Sequence, residues 1–210
     1  MEIPQSDTVF VIGNGLSREG FDWSTIKGHG HIIGCNWFYR DGIADTITMI
    51  DTPPQHKVCE EFGKDTPFNR LTQSISRRHV LFNGETVVMR GRDTGPWYNN
   101  SGVYSTWFAC KYMGAKRIYF IGVDFFRPTD RIIQDDYIRP HDNKNVKGSP
   151  TNDIYGINTI GRGIHKCFNQ LLNIFKDVEF IRIGPVADTD REFYDTQIHP
   201  RLILKDSYDN

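Results

Sequence analysis

The 210-residue chain carries almost no net charge, since 25 Lys and Arg against 26 Asp and Glu leave a formal −1. A balance so close to zero gives no electrostatic footprint for nucleic acid or an anionic membrane, although a local basic patch can hide in a neutral total. Cysteine spacing of the metal or disulfide kind is missing too. Cys35, Cys59, Cys110 and Cys167 stand far apart with no CxxC pair, and they read as buried free thiols of a reducing compartment. No apolar run approaches bilayer length, and the opening MEIPQSDTVFVIGNG lacks the basic region of a secretory signal. Repeats and low-complexity tracts are also absent. The expectation is a soluble, cytoplasmic protein. With 38% hydrophobic and 13% aromatic residues, the chain has enough apolar surface to bury one core.

What is present is a series of short apolar runs that each end on a glycine or a polar residue. The first, Thr8 to Ile12, enters Gly13-Asn14-Gly15-Leu16-Ser17. A strand, then Gly-x-Gly, then a helix start is how α/β folds bring backbone close to phosphate. The dinucleotide fingerprint is incomplete, because Arg18 stands where its third glycine belongs. The second run, His31 to Cys35, ends at Asn36 before Trp37-Phe38-Tyr39. Dinucleotide enzymes place an acid there for the ribose hydroxyls; an amide can bond a base or ribose without adding charge beside phosphates. The third run, 46–50, ends at Asp51. Residues 79–82 and 86–89, joined by Asn83-Gly84-Glu85, look like two strands and a tight turn, either an edge hairpin or two sheet members.

The stretch 99–126 organises the rest. A polar turn, Asn99-Asn100-Ser101-Gly102, precedes a helical pattern in which Val103, Trp107, Cys110 and Met113 share a face. The turn is a natural anion seat, with free N–H groups at a helix start. Gly114 suits the helix end. The apolar run 118–123 reads as a strand buried on both faces, and it stops at Asp124, Phe125 and Phe126. Asn14, Asn36, Asp51 and Asp124 thus stand at the carboxyl ends of strands, where parallel sheets form their binding crevice.

Residues 127–158 are a long irregular stretch holding Tyr137, His141, Asp142, Lys144, Lys147 and Tyr155, an inventory that suits a lid over a charged ligand. A helix over 161–175 and a strand over 178–183 follow, then a polar tail. The expected fold is α/β: a single doubly wound, Rossmann-like domain with a mostly parallel sheet. It spans residues 1–187 with the lid-like loop at 127–158, and residues 188–210 form a tail packed on the surface.

The chain resembles the sialyltransferases of glycosyltransferase family 42, the bacterial lipooligosaccharide type. Three blocks carry the resemblance: Ile12-Gly-Asn-Gly-Leu-Ser17, Cys35-Asn-Trp-Phe-Tyr39, and Ser101-Gly-Val-Tyr104 continuing through Gly114 to Gly122-Val-Asp-Phe125. The wider superfamily, with its flagellin-glycosylating motility factors and pterin pyrophosphokinase-like proteins, has similar blocks. The resemblance implies that Asn14 and Gly15, flanked by Gly13 and Ser17, contact the donor phosphate and ribose. It implies further nucleotide contacts at Asn36, Asp51, Asn100, Ser101, Gly102, Gly122, Phe125 and Phe126. Departures fall where the chemistry should be. Phe126 replaces a tyrosine that helps the departing phosphate, Tyr98 an arginine, and Tyr155-Gly-Ile-Asn158 the family's Tyr-x-x-His. Asn158 cannot take a proton. His141 is the first substitute base, with Asp124 and Asp51 next; Tyr137 or Tyr155 would assist the leaving phosphate. His29, His31, His56, His79, His165 and His199 read as structural.

The function implied is transfer of a sugar from a nucleotide-activated donor, a CMP-sugar first, to a glycan or other hydroxyl acceptor, without a metal or other cofactor. A nucleic-acid acceptor stays open. Family members often form tetramers, and a homo-oligomer stays open. Two other readings remain. One is pyrophosphoryl or nucleotidyl transfer with Mg²⁺ held by Asp51 and Asp124. The other is a catalytically silent nucleotide-binding module, favoured by Phe126 and Asn158.

Overall fold

The computed structural model describes residues 3–18, 20–50, 52–63, 65–73, 86–89, 100–123, 157–186, 191, 194–196 and 198–208. Its strands are β1 (Thr8–Ile12), β2 (His31–Cys35), β3 (Thr46–Met49), β4 (Asn69–Gln73), β5 (Thr86–Met89), β6 (Arg117–Ile121), β7 (Glu179–Ile183) and β8 (Leu202–Lys205). They form one sheet in the order β5-β4-β3-β2-β1-β6-β7-β8. Every pairing is parallel, from β1 with β2 and β6 outward to β4 with β5 and β7 with β8. The chain therefore walks outward from β1 to β5, then crosses back to lay β6 on the other side of β1. That reversal makes the carboxyl ends of β1 and β6 the topological switch point of a doubly wound α/β fold.

The apolar runs form central strands because both faces are covered. Val9, Val11, Ile33, Phe120 and Phe180 point to the face packed by α2 (Ser101–Tyr112) and α3 (Ile157–Ile174). Phe10, Ile12, Ile32, Ile47, Tyr119 and Ile181 point the other way. There the cover includes α1 (Thr52–Phe62) and the 3-10 turns Trp23–Thr25 and Asn36–Asp41. Among the described residues, no helix is long and apolar enough to cross a membrane.

Several elements differ from the sequence expectation. α2 is buried all round from Ser101 to Ala109, not along one stripe, because it packs on β1, β2 and β3 and also touches α3. Gly114 ends it as expected, at φ +70°. α1 starts at Thr52 and carries Pro53 and Pro54 in its first turn, where proline's missing N–H has no helical partner to lose. α3 begins at Ile157, so Asn158 lies in its first turn and not in a loop. β5 falls on its expected residues and pairs in parallel with β4, as a sheet member; the other expected strand, 79–82, lies outside the described residues. Two strands were not foreseen. β4 reads NRLTQ, with one apolar residue, and β8 adds LILK to the sheet edge from within the segment taken for a surface tail.

Candidate functional site

The switch point is closed by backbone. Gly13 N donates to Ile121 O and Gly15 N to Gly122 O, both at 2.8 Å, so the loop after β1 runs on against the end of β6. A Cβ at Gly13 would stand 2.1 Å from the Gly122 oxygen, and Gly122 itself has φ +65°. Only glycine serves at either position: the first for space, the second for conformation.

Asn14, between these glycines, turns toward β2. Its Nδ2 donates to the Cys35 carbonyl at 2.9 Å. A carbonyl only accepts, so this bond settles which end of the amide is nitrogen and aims Oδ1 the other way. Asn14 Oδ1 is buried and, among the described residues, accepts no hydrogen bond. Next door, Asn36 opens its 3-10 turn at φ +52°, a left-handed conformation that asparagine tolerates better than most side chains. Its Oδ1 accepts from Ser101 Oγ at 3.0 Å, which joins the end of β2 to the start of α2.

The α2 terminus is not the open anion seat that the sequence suggested. Asn100 caps it, and its Oδ1 accepts from Gly102 N at 2.9 Å and Val103 N at 3.2 Å. Two of the first N–H groups are therefore taken. Beneath them lies a network that sequence reasoning missed. Ser105 Oγ donates to the Ser101 carbonyl at 2.7 Å and shares a hydroxyl–hydroxyl bond with Thr48 at 2.8 Å, with the Cys35 sulfur 3.7 Å away. Burial pushes the Cys35 thiol up to about 12, against smaller lowering effects of Ser105 and the Arg18 charge. Cys35 is thus an inert packing thiol and not a nucleophile. The signal for this network was thin: one threonine in a strand and one serine on a helix.

The structure thus brings together Gly13, Asn14, Gly15, Gly122, Asn36, Asn100, Ser101 and Gly102, drawn from three strand ends and one helix start. Ser17 lies farther along the same loop. Asp51, Asp124, Phe125, Phe126, Tyr137, His141 and Tyr155 lie outside the described residues, and Asn158 is placed only as backbone in α3. Several histidines have structural partners: His31 bonds Thr46 at 2.9 Å, His199 bonds Asn173 at 2.9 Å, and His29 packs edge-on to Tyr208. No group of three His, Cys, Asp or Glu that could hold a metal occurs among the described residues. Chemically, asparagine amides and serine hydroxyls are neutral across the working pH range. They bind and orient, and none can act as a general base.

No protein-family model, curated protein or solved structure matches this chain.

Proposed function

We propose that the crevice at the carboxyl ends of β1 and β2, below the start of α2, binds a nucleotide. The protein then transfers a sugar from a nucleotide-activated donor, a CMP-sugar first, to a hydroxyl acceptor, in the manner of the family 42 enzymes it resembles. One observation carries the binding half of this reading. The Asn14 amide is pinned by Cys35, and its buried oxygen is left without a donor. An unanswered buried acceptor costs about 1–3 kcal/mol, which a ligand hydroxyl or amino group would recover. A phosphate oxygen could not, so Asn14 suits a ribose hydroxyl, while phosphate would fall to backbone N–H groups and the lid residues. Asn36 and Ser101, already bonded to each other, would hold the nucleoside beside it.

In this reading the described residues supply binding and orientation, which can account for much of the rate in a direct displacement. The acceptor hydroxyl loses its proton to a base, His141 first and Asp124 or Asp51 next, as the nucleotide phosphate leaves the anomeric carbon. Tyr137 or Tyr155 would assist its departure.

The test is a thermal-shift panel of CMP, CDP, UMP, UDP, GDP and ATP, each with EDTA and with Mg²⁺. A ligand that binds only the native state stabilises it by RT ln(1 + [L]/Kd). Stabilisation by CMP or UDP that survives EDTA is the expected result. In Asn14→Ala the affinity should fall about tenfold, the worth of one hydrogen bond of ~1.4 kcal/mol. Stabilisation by ATP that requires Mg²⁺ would point instead to pyrophosphoryl transfer through Asp51 and Asp124. Silence with every nucleotide would end the reading.

A further inference from the structure

We infer that Arg18 is a positioning residue for this site: its ion pair with Asp41 holds the 13–18 loop across the ends of β6 and β7 and thereby sets Asn14 over the end of β2. Arg18 stands where the third glycine of a dinucleotide fingerprint would be, and its side chain uses the space that glycine would leave. Its Cβ and Cδ both lie 3.1 Å from the point a Gly122 Cβ would occupy, so the stem rests on the end of β6. Its guanidinium sits 5.2 Å from the centre of the Phe38 ring and 3.1 Å from Asp41 Oδ2, in the turn after β2. Since β1 lies between β6 and β2 in the sheet, this one side chain reaches across the end of the central strand. Ser17 extends the same loop the other way, its carbonyl oxygen 2.9 Å from where a Gly184 Cβ would stand, at the end of β7.

The pair is shielded, with side-chain exposures of 11% for Arg18 and 4% for Asp41. Shielding weakens screening by salt, so the tie should persist at high ionic strength. The consequence is local. Asn14 lies four residues before Arg18, and Asn36 opens the turn that ends at Asp41, so the tie couples the two loops that carry the two amides.

The inference rests on the nucleotide reading for its ligand, so the test has two arms. Without ligand, amide exchange is followed at Gly15, whose N–H bonds Gly122, and at Val11 and Ile33 in the core. Arg18→Met and Asp41→Asn should speed exchange at Gly15 at least tenfold and leave Val11 and Ile33 unchanged; Arg18→Lys should restore protection to within threefold. With CMP as the probe, and UDP as the second, the first two variants should bind at least tenfold more weakly and Arg18→Lys within threefold of the parent. Unchanged Gly15 exchange in Arg18→Met would overturn the inference. So would equal acceleration at Gly15, Val11 and Ile33, which marks a merely structural ion pair. A parent protein that binds neither probe would sink the nucleotide reading, and the exchange arm alone would then decide the role of Arg18.

Discussion

Along the amino edge of the sheet, charge answers charge. Lys116 meets Asp7 at 2.8 Å, Arg117 meets Glu179, and Asp45 Oδ2 accepts from Ile32 N at 2.8 Å. Backbone closes the rest, with Lys116 N and Arg117 N both bonded to the Asp7 carbonyl. Along the carboxyl edge the described groups are mainly amides, hydroxyls and glycine backbone, with the Arg18–Asp41 pair set among them. There the buried Asn14 Oδ1 accepts no hydrogen bond among the described residues. The charged groups named at the amino edge have partners within the chain, whereas Asn14 at the carboxyl edge holds a bonding capacity that a ligand can meet. Parallel topology accounts for the asymmetry, because it gathers all the strand-to-helix loops and the start of α2 on one side.

The comparison can be broken or sharpened by experiment. The largest loss is expected for Gly13→Ala, because its new methyl would meet a backbone oxygen at 2.1 Å. Overpacking against backbone should cost about 3 kcal/mol in denaturant unfolding. A cost near zero would mean that the loops are not locked as described.

Alkaline pH should come next. Burial holds the Cys35 and Cys110 thiols at about 12 against an ordinary 9.0. The folded protein therefore keeps protons that the unfolded chain releases. This contribution is complete below pH 9, and it is lost as pH climbs toward 12. Unfolding free energy measured from pH 8 to 11 should fall, and Cys35→Ala should fall less steeply.

Ser105→Ala removes a hydroxyl that serves both Thr48 and the Ser101 carbonyl, and should cost about 2 kcal/mol. Asn100→Ala uncaps α2 and should cost about 1 kcal/mol. At the opposite edge, Lys116→Met breaks a pair exposed to 72% and 71%, and should change stability by less than about 0.5 kcal/mol. If Lys116→Met cost as much as Ser105→Ala, the contrast between the edges would be lost.

Legibility in the sequence followed the same physics. β1 and β2 match their expected bounds to the residue, because an apolar run that is buried on both faces announces itself in one dimension. Gly114 was readable as a helix end for its backbone freedom. β4 was invisible, since Asn69, Arg70, Thr72 and Gln73 give no strand signal of their own. The strand exists because β3 and β5 bond it from both sides. β8 does carry an apolar run, Leu202-Ile203-Leu204, but it is short and set in a polar tail, and pairing with β7 completes the strand. At the start of α2 an asparagine before Ser-Gly suits a ligand contact and a cap alike, and hydrogen-bond geometry selects the cap for two N–H groups.

By itself the sequence determined which residues end the central strands and which of them are glycine, asparagine or serine, since these follow from local runs and local chemistry. Only the tertiary structure decided that Asn14 spends its nitrogen on Cys35, that Asn36 meets Ser101, and that Arg18 reaches Asp41. Those partners lie 21, 65 and 23 residues apart, and no local preference brings such groups together. The order of the strands in the sheet does.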